Sequence, residues 1–294
     1  MLAALFWGSS YIWIKIALEE IGPFTLVALR LFFAVLGLAV VMIVTRAKIP
    51  RSRKTLTKLF ILSLLSPSIP FLLISWGETR IDSSVAAVLN GSVPLLTIWV
   101  AHLYLPEEKL TFPKFLGLMG GFSGVLVLFS GGLTTEGLRS GNTLGQLAVV
   151  AACVFYSIST VFSRSKLRNI SPVVAASLTM FFADAVAWLA VPFDTGPFVF
   201  PHRALTWFAL VWMGLFGSCA AFLIYFHLLN KWGAVRTSFV NYLVPLVGLL
   251  LGVVVRGEQL DWHLIVGALL ILAGIAAVNY KSLVSKGFRR VHRP

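Results

Sequence analysis

Charge is scarce in this chain, and acidic charge most of all: 11 Asp and Glu in 294 residues, with all charged types together at 12%. Soluble domains carry about twice that share. Cysteine is nearly absent as well. Cys153 and Cys219 both fall inside apolar runs, which excludes a disulfide framework and a CxxC metal pair and leaves them as small packing residues. The chain also lacks HExxH, GxSxG, a Walker-type glycine loop and clustered carboxylates in its apolar stretches, so an enzyme would have neither nucleophile nor metal ligands to work with. No catalytic residue, metal or cofactor is expected. Without an ATP-binding loop, any driving energy has to come from a gradient or from exchange.

Apolar surface is what the chain has in excess. Hydrophobic residues make up 58% and the mean hydropathy is +0.91, values outside the range of soluble folds. A hydrocarbon core of about 30 Å takes about 20 helical residues per crossing. Breaking the apolar runs at Gly, Pro and charge clusters predicts ten spans, at 1–18, 22–45, 57–77, 83–104, 112–131, 142–163, 171–192, 205–230, 233–255 and 261–280. The expected fold class is therefore an all-α integral membrane protein, with no room for a soluble or nucleic-acid-binding domain. The first stretch has neither a basic n-region nor a small-residue cleavage site, so it reads as a retained helix; a clipped native N-terminus is the alternative.

The net charge of +13 is then a question of sides. Seventeen Lys and Arg, among them Lys48, Lys54, Lys58, Lys114, Lys166 and the tail from Lys281, fall in alternate loops on one side, whereas Arg80, Arg139, Arg203 and Arg256 share the other with most of the acids. Basic residues collect on the cytoplasmic side, which predicts a cell inner (plasma) membrane protein with both termini cytoplasmic. Trp188, Trp207 and Trp262 at outer ends, and Tyr104, Trp232 and Tyr280 at inner ends, fit interfacial belts. His102 and His227, near inner ends, read as interfacial anchors.

Sliding the chain on itself by 149 residues aligns Phe6-Trp7, Pro23, Leu29 and Phe32-Phe33-Ala34 with Phe155-Tyr156, Pro172, Leu178 and Phe181-Phe182-Ala183. At 151, Phe71-Leu72, Asn90, Pro94 and Glu107 meet Phe222-Leu223, Asn241, Pro245 and Glu258. The chain thus reads as two five-span units: residues 1–131, a linker at 132–141, residues 142–280 and a basic tail at 281–294. Five is odd, so the second unit enters the membrane from the opposite side, giving inverted repeats of the kind that suit alternating access.

The run Phe6-Trp7-Gly8-Ser9-Ser10, then Lys15, Pro23 and Arg30, followed by Ala86-Ala87-Val88-Leu89-Asn90, Pro94, Glu107, Gly117 and Gly124, resembles an EamA domain. Two tandem copies are similar to the ten-helix transporters of the drug/metabolite superfamily. In the second unit Ser157, Arg164 and Thr179 replace Gly8, Lys15 and Arg30. The resemblance implies a cavity lined by the first, third and fourth helices of each unit. It also implies a transporter of small molecules, with bacterial members that export amino acids; other members carry sugar phosphates or drugs.

Polar groups inside spans are costly unless paired, so each is a candidate. Trp7, Tyr11 and Lys15 form one stripe of span 1, with Ser10 beside it, and Tyr156, Thr160 and Arg164 form the mirrored stripe. The aromatics can pack against an amphipathic substrate while Lys15 attracts a carboxylate; alternatively Lys15 and Arg164 snorkel to opposite interfaces. Asn90 and Asn241 each precede a proline, Pro94 and Pro245, by four residues, which marks candidate hinges and either a binding centre or an interhelical amide bond. Phe71, Ser75 and Tyr225 complete the candidate substrate-binding set on the third helix of each unit. Arg30 and Asp184 lie at matching depth, which predicts a structural salt bridge between spans 2 and 7; Asp184 as a proton-coupling carboxylate is the alternative. Gly117, Gly121, Gly120, Gly124, Gly248 and Gly252 form GxxxG spacings, and span 5 could mediate a dimer.

The expected function is transport, in the export direction, of small amphipathic metabolites, amino-acid-like and including aromatic ones. Uptake or exchange of an anionic metabolite such as a phosphate ester is the alternative, and a non-transporting scaffold or receptor is the rival of a different class. The expected partners are a small-molecule substrate and membrane lipid, with no nucleic acid, in a monomer or homodimer.

Overall fold

The computed structural model describes residues 2–104, 110–132, 141–167, 170–237 and 240–291, with side chains for all of these except 113, 132, 229–230, 232–237, 241–242 and 278–291. The described chain is mostly helical, with no strand among the described residues. Its helices are α1 (Leu2–Ala17), α2 (Pro23–Thr45), α3 (Arg53–Ser63), α4 (Ile69–Glu78), α5 (Ser83–Asn90), α6 (Val93–Tyr104), α7 (Phe112–Gly132), α8 (Asn142–Lys166), α9 (Pro172–Ala190), α10 (Ala204–Trp212), α11 (Ala221–Thr237), α12 (Val240–Arg256) and α13 (Trp262–Val291). Seven helical stretches are long and apolar enough to cross a bilayer, and three more, Leu2–Ala17, Leu243–Arg256 and Trp262–Ala277, are apolar but shorter. The last helix runs on to Val291, beyond the expected end at 280.

Local chemistry sets the ends. α2 and α9 begin on Pro23 and Pro172, where a missing N–H costs nothing. The Ser171 hydroxyl accepts the Val174 N–H at 3.3 Å. α2 stops where Arg46 turns left-handed at φ 50°.

Two crossings expected to be continuous are interrupted at matching places. Leu64–Ser68, carrying Pro67, is a π-type turn between α3 and α4, and Met213–Ala220, carrying Gly214 and Gly217, is its counterpart between α10 and α11. Proline has no N–H for the ladder, and glycine lets backbones approach, so each sequence loosens its helix by its own means. A third break separates α5 from α6 at Gly91-Ser92, leaving Pro94 in the first turn of α6. Pro94 and Pro245 do not behave alike: α12 stays helical through Pro245, whose ring packs against Gly91.

The GxxxG glycines are used within the chain. α7 and α13 lie along each other, and a Cβ on Gly124 would fall 2.7 Å from the Gly267 carbonyl oxygen, one on Gly274 2.5 Å from that of Gly117. Gly248 faces the Ala87 side chain, and a Cβ on Gly120 would meet nothing within 4 Å. Most of these glycines therefore serve close helix approach inside the bundle.

Candidate functional site

The broken helices enclose a central cavity of about 100 Å³. Of the candidate residues, Trp7, Ser10, Tyr11, Phe71, Asn90, Tyr156, Thr160 and Tyr225 line it. Lys15 and Ser75 do not, and the Asn241 side chain lies outside the described residues. The Lys15 ammonium instead donates to the carbonyls of Glu78 and Ile81, at 2.8 and 2.6 Å, satisfying acceptors that the end of α4 leaves without partners. Neither snorkelling nor substrate attraction accounts for it. Ser75 is fully buried outside the lining, with its hydroxyl oxygen unpartnered. Glu78, which the loop count placed at the outer side, is also fully buried.

Arg30 is a lining residue and, among the described residues, not half of an ion pair. Its Nε donates to the Ser218 hydroxyl at 3.0 Å, and its guanidinium carbon lies 3.9 Å from the centre of the Phe71 ring. Asp184 does not meet it, and the Asp184 Oδ1 has no hydrogen-bond partner among the described residues. Depth along a helix is legible in a sequence; the direction a side chain takes around the axis depends on packing. The bulge at 213–220 gives Arg30 its place. Gly214 lies against the Arg30 carbonyl oxygen, and a Cβ on Gly217 would fall 2.8 Å from Ser10 Oγ and 3.4 Å from an Arg30 nitrogen.

Aromatic side chains form much of the remaining wall. Trp7 donates its indole N–H to the Gly217 carbonyl at 3.0 Å, which fixes the ring edge-on to Phe222 at 5.7 Å and tilted to Tyr225 at 5.7 Å. Phe71 meets Phe222 edge-on at 6.4 Å. Cys153 donates its thiol to Asn90 Oδ1 at 3.7 Å. Phe222, Phe226, Ser66, Ser159 and Ser163 also line the cavity and were missed. Two signals could have found some of them. Phe222 is the repeat partner of Phe71, and Ser159 and Ser163 continue the helical face of Tyr156. Along that face, and along α3, the lining reaches Ser163 and Leu62, within about one helical turn of Lys166 and Lys58 at the basic end.

At the opposite, acidic end, carboxylates tie the two halves together. Glu258 accepts from Ser83 N, Ser83 Oγ and Ser84 N at 3.0, 2.6 and 2.9 Å, an acceptor supplied in trans to the first turn of α5. Asp194 accepts from Thr25 N and Oγ, both at 2.8 Å, at the start of α2. Glu19 pairs with Arg203 and Arg256, and Glu20 accepts the N–H groups of His202 and Arg203. The hydrogen bond from Arg256 leads in holding the Glu19 carboxyl below its ordinary range. Burial alone would raise the Glu258 carboxyl, but the bonds from Ser83 and Ser84 together outweigh it and lower it. Asp82 goes the other way, raised by burial and then by the nearby Glu258 charge.

The profile of the EamA-like transporter family matches residues 1–130 and 143–280. Similar proteins include the uncharacterized transporter YoaV of Bacillus subtilis, 27% identical over 272 residues that cover 92% of each chain. An uncharacterized transporter of Archaeoglobus fulgidus is 26% identical and covers 95% of this chain and 97% of its own. The uncharacterized inner membrane transporter YedA of Escherichia coli K12 is 28% identical, over 87% and 81%. A crystal structure at 21% identity superposes with a TM-score of 0.70 over 99% of this chain and 96% of its own, a likeness of fold. With the profile matched over two long segments and seven helices able to span a bilayer, this multi-pass membrane protein belongs to the EamA-like transporter family.

Proposed function

We propose that this protein carries a small amphipathic metabolite with one negative charge, amino-acid-like and with an apolar or aromatic body, by alternating access of two inverted five-helix repeats. The observation that carries the reading is the cavity wall: Arg30 is its one charged member among the described residues, set in a ring of aromatic side chains. A guanidinium takes a carboxylate in a charge-assisted fork, and the rings accept an apolar body. A phosphate ester would bring up to two negative charges to a single cation, which disfavours the anion-exchange alternative. The matching interruptions at 64–68 and 213–220, with Arg30 bound to the second, support movable crossings around a midplane site. The carboxylate ties at the acidic end and the reach of the lining toward Ser163 support a state closed at the acidic end. Placing the basic end in the cytoplasm makes that an inward-facing state, and export follows the family resemblance.

Proteoliposomes loaded with a panel of labelled amino acids and sugar phosphates test the reading by counterflow. Saturable exchange of an amino acid, lost in Arg30→Gln and weakened in Trp7→Ala, supports it. Exchange of phosphate esters alone moves the function to the anion branch, and silence from folded protein across the panel favours a scaffold or receptor.

A further inference from the structure

Away from the central cavity, a hollow of about 520 Å³ opens at the basic end of the bundle. Its walls come from both halves of the chain: Lys48, Thr55 and Lys58 from the first, Ser165, Lys166 and Ser171 from the second. Among the described residues no carboxylate lines it, and none of the three ammonium groups has one within 4.0 Å. The sequence explains the imbalance, since no Asp or Glu occurs between Glu20 and Glu78 or between Glu136 and Asp184.

Helix geometry adds to the positive field. α3 begins beside Thr55 and Lys58, and its N-cap residue Ser52 makes no side-chain bond to the first turn. α9 begins on the capping Ser171. Two helix N-termini therefore bring partial positive charge to the same hollow as the lysines. Three like charges facing one concavity repel each other, and an anion between them turns that repulsion into attraction. Lysine binds phosphate as a point charge, and a phosphate offers enough charge and acceptor oxygens for several ammonium groups at once. Basic pockets between helices at a membrane surface suit such head groups.

We propose that this hollow binds a phosphate group, from an anionic phospholipid head group or a soluble phosphate, and that the bound group joins the two halves at the basic end. The site is separate from the Arg30 cavity and does not depend on what that cavity carries.

The full chain is placed in nanodiscs of phosphatidylcholine alone or mixed with phosphatidylglycerol. In a second arm, detergent-solubilised protein is titrated with inorganic phosphate at constant ionic strength. Thermal unfolding is read in both. The expected result is a rise in unfolding temperature in at least one arm. That rise is lost in the triple variant Lys48→Gln, Lys58→Gln, Lys166→Gln and kept in the charge-matched control Arg51→Gln, Arg53→Gln, Lys54→Gln. A response to phosphatidylglycerol alone identifies a lipid head group, and a response to inorganic phosphate identifies a soluble ligand. Each single lysine change should weaken binding about five-fold, so Lys58→Gln alone decides the matter if the triple variant misfolds. Equal loss in both triple variants, or no response in either arm, overturns the proposal.

Discussion

The acidic end and the central cavity both set charge on an apolar bundle, one at its surface and one within it, and they treat that charge in opposite ways. Glu258, Asp194 and Glu19 each collect donors from the other half of the chain. Arg30 is bonded through its Nε to one hydroxyl and rests on a ring. A carboxylate with several donors holds two elements together, whereas a buried cation with a neutral partner keeps its charge available to a visiting anion. Similar chemistry therefore serves cohesion at one end and, in the function proposed above, recognition in the middle.

The sharpest way to break this contrast is Arg30→Met. Losing the one cavity cation among the described residues should weaken binding of a carboxylate substrate roughly 100-fold, the scale for stranding a charge without its partner. Thermal stability should hold or rise, because a buried cation is costly to keep. Counterflow and melting measured on the same preparation separate the two effects, and a variant that transports normally would remove Arg30 from the site. Glu258→Ala should do the reverse, lowering stability by about 2 kcal/mol through lost charge-assisted bonds, as read by unfolding in detergent, while leaving substrate affinity within about two-fold.

A smaller effect is expected from Trp7→Phe. An aromatic ring remains but the bond to Gly217 goes, which should cost about 1 kcal/mol of binding, roughly five-fold in affinity; an unchanged affinity would mean the indole N–H positions nothing. Smallest is the pH response of the acidic end. The folded-state Glu258 carboxyl is lowered, so its stabilisation is complete above the ordinary carboxylate range near 4.5 and is lost as pH falls through the lower folded value. Melting temperatures of the native protein and Glu258→Gln should therefore converge on acidification below that range and stay apart above it. A gap independent of pH would assign the effect to packing.

Much of the site was legible from periodicity. Trp7 and Tyr11 one turn apart, with Tyr156 and Thr160 one repeat later, line the cavity because the spacing that places residues on one helix face also places them together in space. Lys15 continues that stripe and still leaves the cavity, since its long stem reaches the open carbonyls of α4. The Arg30–Asp184 pairing failed for a related reason: counting residues along two helices does not say which way a side chain turns, and Arg30 turns to Ser218 and Phe71.

Composition, hydropathy and the match of residues to one family determined that this is an all-helical membrane protein, because transfer of apolar surface out of water depends on what the residues are and not on their neighbours. The tertiary structure alone decided that Arg30 meets Ser218 and Phe71 and that Glu258 closes onto α5. Each of these depends on atoms far apart in the chain reaching within about 3 to 4 Å of each other, a distance at which packing and not sequence spacing selects the partner.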